Sequence, residues 1–371
     1  MRRSGTSGII FGMWLSLRSG LLLGAAATVA MSCHGESLEA QNGRCGPTPH
    51  LLASAAVFPA PDAAGYQSEI AGMAVDGADL YFSAAIGPIG PAPAQAPTMT
   101  GALMHVSTFG GAATQMASGY VFAAPAVVTP TSVIVEATNT SSINILSVPR
   151  SGGAAAPLVT LIDDTLLTQP VTDGTSVYFT ASAGIESVPL APGASPAVPA
   201  QLTSEYAASL GVFGPELLLL LGGNGQVEGI PLGPSDAGSE TLLGTGFAAP
   251  VPNSLIACGT NACWIAGGAI EQMDPAGGTV TALASLPSGP LAQPSTLLYD
   301  GTNFFVLGTT GPYITANAAI ARVPAKGGAA VIVATLPPLS AGLAVDDACV
   351  YFGTSTGIFS LLKDTEGVVV P

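Results

Sequence analysis

Short apolar runs alternate with glycine, proline and aspartate along most of the chain, and each run has the length of one β-strand. The runs are built from Val, Ile, Leu, Tyr and Phe, and the β-branched and aromatic members of this set are enriched in strands. The breaks contain Asp-Gly and Gly-Gly pairs, which are turn signals between antiparallel strands. The pattern therefore predicts an all-β domain with many short strands.

One apolar motif recurs seven times, and its copies are called repeats 1 to 7. Repeat 1 reads GMAVDGADLYFS over residues 72–83, and repeat 7 reads GLAVDDACVYFG over residues 342–353. From Asp76 to the equivalent Asp346 is 270 residues in six steps, so the mean period is 45 residues. The other repeats keep parts of the motif at residues 133–135, 170–180, 217–220, 263–265 and 298–306.

Each repeat contains four runs that fit four antiparallel strands. The first run ends at an Asp-Gly or similar turn, the second often carries a Tyr-Phe pair, and the third often ends in proline. Proline suits the end of a strand because it cannot donate a hydrogen bond to the sheet. A Gly-Gly turn then leads into the fourth run, and four short strands in about 45 residues are typical of a propeller blade. We predict a β-propeller of seven four-stranded blades over residues 49–371.

Two segments could close such a ring. Residues 51–54 (LLAS) resemble the fourth-strand run at residues 282–285 (ALAS) and could complete the last blade from the other end of the chain. Residues 367–371 could fill the same role, so the closing strand stays open at this point. Closure that mixes strands from both chain ends removes exposed sheet edges.

The repeats resemble exported bacterial β-propellers of the broad NHL and YWTD-like kind over about residues 50–371. The resemblance rests on the Tyr-Phe pairs within residues 80–83, 177–180 and 350–353, each followed by the Gly-Gly turn or its remnant. Phe stands where the YWTD pattern has Trp, and no Asp follows. The resemblance implies the fold and no particular function, because propellers include binding scaffolds and enzymes.

The first residues of the chain are typical of an export signal. Arg2 and Arg3 precede apolar runs that lead through small residues to Cys33, as in bacterial lipoprotein signals. We predict a signal peptide over residues 1–33, lipidation of Cys33 and a tether over residues 34–48. An ordinary cleaved signal and an uncleaved anchor are the alternatives. The protein is then expected in the periplasm or on the outer membrane as a lipoprotein, or else as a secreted protein. We expect it to contact a membrane only through the N-terminal lipid or signal.

The charge of the chain excludes one class of partner. The formal net charge is -15, and three of the eight cations, Arg2, Arg3 and Arg18, lie in the predicted signal. Without them, five cations face 23 acids, a net charge of -18. A nucleic-acid-binding protein needs a basic footprint that neutralises phosphates, and no such footprint is present.

The cysteines fit an oxidising compartment. If Cys33 carries lipid, four cysteines remain, which is enough for two disulfides. Cys258 and Cys263 flank a four-residue turn, so they are expected to lie opposite each other across a hairpin and to form one bond. Cys45 and Cys349 remain for a second bond that would pin the tether to the last blade. The alternative is that Cys349 is a buried free thiol.

The residues that usually carry chemistry are few. His34 and His50 lie in or beside the tether, and His105 lies in a third strand, where an edge or surface position is expected. Asp76, Asp173, Asp300 and Asp346 share one register, which we interpret as a turn position, because Asp bonds the local backbone there. Asp163 and Asp164 could bind a cation, but no calcium-loop motif is present. We therefore predict no metal, no cofactor and no catalytic residue.

The starts of the first strands should surround the central opening of the propeller. They bring Glu69 and Gln169 there, and otherwise supply uncharged residues, namely Pro125, Ser209, Thr296 and Gly342. This composition favours a non-catalytic scaffold at the cell envelope, expected as a monomer, that binds a protein or glycan. The alternative is a propeller hydrolase or lyase that acts on a small molecule in the central channel. The uncharged insertion at residues 84–100 is a candidate recognition loop.

Overall fold

The structure is a computed structural model, and it describes residues 43–54, 66–88, 101–139, 142–162, 168–191, 195–223, 225–233, 239–311 and 315–370. Within these ranges, the side chains of residues 66–69, 85–88 and 122–126 are not described. The described residues belong to one compact unit, Leu38–Pro371. Apart from a helical turn at residues 43–44, its regular structure consists of β-strands. None of the helical structure in the described ranges is long and apolar enough to cross a membrane.

The predicted strand pattern is confirmed, and the chain forms an all-β propeller. Strand β1 (His50–Ser54) precedes the first repeat. Repeats 1 and 2 together form one antiparallel sheet of seven strands: β2 (Tyr66–Asp76), β3 (Asp79–Pro88), β4 (Gly101–Ser107), β5 (Thr114–Val128), β6 (Ser132–Thr138), β7 (Ser142–Pro149) and β8 (Ala156–Ile162). The long strand β5 pairs with β4 through its first half and with β6 through its second half.

Repeats 3, 4 and 5 each form a separate antiparallel sheet of four strands. Repeat 3 contains β9 (Val171–Thr172), β10 (Ser176–Ala181), β11 (Gly184–Pro189) and β12 (Ala200–Thr203). Repeat 4 contains β13 (Ser209–Phe213), β14 (Glu216–Leu221), β15 (Gln226–Pro231) and β16 (Thr241–Thr245). Repeat 5 contains β17 (Ile256–Cys258), β18 (Asn261–Ala266), β19 (Ala269–Met273) and β20 (Thr281–Ser285).

The last two sheets decide how the ring closes. Repeat 6 contains β21 (Gln293–Tyr299), β22 (Asn303–Thr309), β23 (Ala318–Pro324) and β24 (Val331–Leu336), and repeat 7 contains β25 (Ala341–Val345), β26 (Cys349–Thr354) and β27 (Gly357–Leu362). Strand β1 pairs antiparallel with β27 and completes repeat 7. The C-terminal strand β28 (Val368–Val369) instead pairs parallel with β24 of repeat 6. The first of the two predicted closures is therefore correct. The described strands form six sheets, so the count of seven blades stays a prediction.

The core lies between neighbouring sheets. Tyr81 and Leu103 of repeat 1 pack against Val133 and Val135 of repeat 2 in one buried cluster. Another cluster joins repeat 7 to repeat 1 and includes Tyr351. Each sheet therefore buries apolar side chains on both of its faces, which explains why the second strands are almost continuously apolar.

The predicted turn role is confirmed for three of the four shared aspartates, whereas Asp76 pairs with Arg150. The Oδ1 atom of Asp173 accepts hydrogen bonds from the backbone amides of Thr175 and Ser176, both at 2.7 Å. Asp300 and Asp346 accept equivalent backbone bonds in repeats 6 and 7. These carboxylates stabilise separate turns because the turn places their oxygens next to local amide donors.

Both predicted disulfides are present. Cys45 bonds Cys349 with a Cα–Cα distance of 6.1 Å, so Cys349 is not a free thiol. Cys258 bonds Cys263 with a Cα–Cα distance of 5.9 Å. The expectation that this second pair lies directly opposite across the hairpin was wrong. Cys263 is opposite Ile256, and Cys258 is opposite Asn261, because the turn is shorter than the spacing of the cysteines implies.

The described end of the predicted tether, residues 43–48, lies against the last sheet. Arg44 and Cys45 are buried. Arg44 pairs with Asp346, its guanidinium donates to the hydroxyl of Tyr351 at 3.0 Å, and its carbonyl accepts a hydrogen bond from Ser360 Oγ at 2.6 Å. These contacts, together with the disulfide, hold the strand that closes the ring.

Candidate functional site

The first strands converge on a central cavity of about 830 Å³, called the central opening below. Its wall is formed by the first strands, or the loops leading into them, in repeats 1, 3, 4, 5, 6 and 7, together with Leu307 and Thr309 of β22. All described residues in this lining are uncharged. Apolar residues such as Met73, Leu210, Leu297 and Leu343 form part of it, and amide and hydroxyl side chains form the rest.

Local irregularities shape the first strands at this opening. The pairing of first and second strands shifts by one residue at Ala71 in repeat 1, at Ser295 in repeat 6 and at Gly342 in repeat 7. An extra residue of this kind bends a strand and redirects the adjacent side chains. The repeated bulge therefore turns the strand starts into the wall of a cavity.

Hydroxyl side chains attach the incoming loops to the sheets. The hydroxyl oxygen of Thr168 accepts a hydrogen bond from the amide of Thr180 at 3.0 Å. Ser254 accepts one from the amide of Ile265 at 3.2 Å, and its hydroxyl donates to the carbonyl of Val251 at 2.7 Å. These hydroxyls satisfy backbone groups that would otherwise be buried without a partner.

Asn253 connects three repeats at the opening. It has a positive φ of 57°, a conformation that Asn tolerates better than most residues. Its amide donates to the carbonyl of Ala208 at 3.1 Å, and its Oδ1 accepts the amide of Gln169 at 2.7 Å. No described residue accepts a hydrogen bond from its Nδ2, and the exposed side chain of Gln293 likewise has no partner in the described ranges. Two carboxamides therefore line the cavity with unused hydrogen-bonding groups.

Several of the site positions expected from the sequence lie at the central opening. Gln169, Ser209, Thr296 and Gly342 line the cavity, as the register argument predicts. The side chains of Glu69 and Pro125 are outside those that the structure describes, and so are Asp163, Asp164, His34 and most of the insertion at residues 84–100. His50 begins strand β1 and is exposed.

Sequence reasoning missed Gln293 and Asn253. A signal for Gln293 existed, because Gln293-Pro294 repeats the Gln169-Pro170 pair at the same place in another repeat. Asn253 had no such signal, since its position depends on a loop that crosses to two other repeats.

A second polar cluster lies at the other end of the first strands. Arg150 of repeat 2 donates to Asp76 at 2.5 Å, to Asp79 at 2.8 Å and to the hydroxyl of Tyr81 at 2.7 Å. His105 contacts Asp79 at 2.8 Å and is partly exposed, which fits the expected surface position but not an edge, because β4 pairs with both β3 and β5. Burial alone would raise the pKa of Asp79, but hydrogen bonds from His105 and Arg150 hold it below its ordinary value. This cluster connects repeats 1 and 2, and each of its charged side chains has a protein partner.

The described residues contain no group of three or more His, Cys, Asp or Glu side chains that could hold a metal ion. The two disulfides indicate that the protein matures in an oxidising compartment outside the cytosol.

No protein-family model and no curated protein matches the sequence. Several solved structures are similar at low identity. PorZ of Porphyromonas gingivalis, an essential surface component of the type-IX secretion system, is 13% identical, with 81% of this chain and 38% of that chain covered and a TM-score of 0.48. YCF48, solved bound to a D1 peptide, is 13% identical, with 82% and 99% covered and a TM-score of 0.47. A puromycin-hydrolysing peptidase of Mycobacterium tuberculosis is 14% identical, with 86% and 55% covered and a TM-score of 0.49. No activity or partner follows from similarity at this level.

Proposed function

We propose that the protein is an exported binding scaffold of the cell envelope, which holds a protein or glycan partner at the central opening and catalyses no reaction. The described lining of the cavity is uncharged, and this supports the proposal. The volume of about 830 Å³ suits a ligand site, since such sites are concave and mostly apolar and carry a few well-placed polar groups.

The described polar groups at the opening suit binding better than catalysis. A carboxamide such as that of Gln293 donates and accepts hydrogen bonds but does not titrate, whereas general acid–base catalysis needs a group that exchanges a proton near the working pH. The hydroxyls of Ser209 and Thr168 accept hydrogen bonds from backbone amides, and their contacts hold loops in place. No activating base lies beside them in the described lining.

Attachment to the envelope is the second part of the proposal. A lipid on Cys33 would anchor the N-terminal segment and leave the propeller outside the cytosol, as a monomer whose membrane contact is the lipid or signal alone. Maturation in an oxidising compartment supports this location.

Site-specific photo-crosslinking in the native envelope tests the proposal. A photo-reactive amino acid replaces Gln293 at the opening, and the same group replaces the exposed Asp347 in a turn at the opposite end of the first strand of repeat 7 as a control. We expect one discrete adduct with an intact partner from position 293 and none from position 347. Equal adducts from both positions, or a partner recovered only as a cleaved product, would contradict the proposed function.

A further inference from the structure

We infer that the central opening recognises an uncharged peptide segment of a protein partner through the carboxamides of Asn253 and Gln293. This inference rests on the proposed binding function and names the chemistry of its ligand.

The charge of the repeats that form most of the wall favours an uncharged ligand. Between residues 151 and 321 the sequence contains twelve Asp and Glu residues and no Lys, Arg or His. An anionic ligand is therefore repelled on its approach to repeats 3 to 5. A cationic group that entered the cavity would lose contact with water. The described lining side chains include no carboxylate that could pair with it, and an unpaired buried charge is costly. A neutral ligand meets neither cost.

The hydrogen-bonding groups match the peptide group. Asn253 is held by two hydrogen bonds to other repeats, so its orientation is set before any ligand arrives. Its Nδ2 atom is a donor, and the carboxamide of Gln293 supplies both a donor and an acceptor. A backbone amide presents the complementary pair, one donor and one acceptor, at every residue.

The remaining wall favours a peptide over a sugar. Ala71, Pro252 and Pro294 contribute exposed or partly exposed apolar surface, and most leucines of the lining are buried behind it. No aromatic ring is present among the described residues of the lining, and such a ring is the usual partner for the apolar face of a sugar. An extended neutral peptide can use both features together, with its backbone on the carboxamides and its side chains on the apolar residues of the wall.

Peptide binding by the purified full-length protein tests the inference. The probes are fluorescent libraries of short peptides with acetylated and amidated ends in neutral, acidic and basic sets, together with a set of short neutral oligosaccharides. Gln293→Ala removes one exposed carboxamide that makes no hydrogen bond to another described residue, so the fold should be kept. Gln115→Ala, at an exposed position on β5 away from the opening, is the matched control.

We expect neutral peptides to bind and the two charged sets to bind more weakly. Gln293→Ala should weaken the binding of neutral peptides about tenfold, and Gln115→Ala should leave it unchanged. Preferential binding of oligosaccharides that depends on Gln293 would overturn the peptide assignment and leave the proposed binding function in place. Preferential binding of a charged set, or peptide binding that is insensitive to Gln293→Ala, would overturn the inference. Failure of every probe, combined with partner cleavage in the crosslinking experiment, would overturn the proposed function as well.

Discussion

Glu136 occupies a position at which a carboxylate is costly. It lies on β6 at the register that follows the second-strand aromatic residue, where the clear repeats have Ser83, Thr180 and Gly353. Burial raises its pKa from an ordinary value of 4.5 to about 7. No hydrogen bond or ion pair to another described residue compensates its charge. We predict that Glu136→Gln stabilises the domain at alkaline pH.

The size of this stabilisation and its pH dependence follow from the pKa of Glu136, which is 4.5 in the unfolded chain and about 7 in the folded protein. This difference in pKa corresponds to about 3 kcal/mol of folding free energy. The folded state binds this proton more tightly than the unfolded chain, so the stability that protonation provides is fully present below the unfolded pKa near 4.5. It is lost as the pH rises to about 7. Glutamine resembles the protonated acid, so Glu136→Gln should gain up to about 3 kcal/mol at pH 8 and almost nothing at pH 4.5.

Calorimetric melting at the two pH values provides the assay. The wild-type protein is compared with Glu136→Gln and with Asp347→Asn, which neutralises an exposed carboxylate in a turn. We expect a rise in melting temperature for Glu136→Gln at the higher pH and none for the control. An equal shift at both pH values would refute the reasoning, because a packing effect does not depend on protonation. A loss of stability at the higher pH would refute it as well.

The remaining predictions concern disulfides, a cluster between repeats and export. Cys349→Ser should lower the melting temperature more than Cys263→Ser, because the Cys45–Cys349 bond closes the longer chain loop. The sequence separations of 304 and 5 correspond in the chain-entropy argument to stabilisations of about 6 and about 2 kcal/mol. Equal losses in calorimetry would contradict this prediction. Arg150→Ala should destabilise the domain by about 2 kcal/mol through its lost hydrogen bonds to repeat 1, as read by thermal melting. Lys326→Ala, at an exposed residue without an ion pair in the described ranges, should change the melting temperature little. Cys33→Ser should abolish diacylglycerol modification and release the protein from the membrane fraction, and an unmodified wild-type N-terminus by mass spectrometry would exclude the lipid anchor.

The residues of the candidate site that could be predicted from the sequence are those that occupy equivalent positions in several repeats. Gln169, Ser209 and Thr296 reach the cavity because equivalent positions in a repeat occupy equivalent places in the ring. Asn253 could not be placed in this way, because its hydrogen bonds reach residues 45 and 84 positions earlier in the chain, at Ala208 and Gln169. The raised pKa of Glu136 likewise depends on burial in the folded domain, which no local pattern describes.

The sequence by itself determined the all-β repeat, the turn role of Asp173 and the Cys258–Cys263 bond, and the parity of the cysteines favoured Cys45–Cys349 without excluding a free Cys349. These features follow from contacts between strands that are neighbours in the chain, or from simple parity, so a local pattern is sufficient. The tertiary structure decided that β1 closes the last sheet, that β28 pairs with β24, and that the carboxamides of Asn253 and Gln293 line the same cavity. Each of these outcomes joins residues that are distant in sequence. The free energies of these contacts depend on which surfaces become adjacent once the ring has closed, and the packing between sheets determines which surfaces those are.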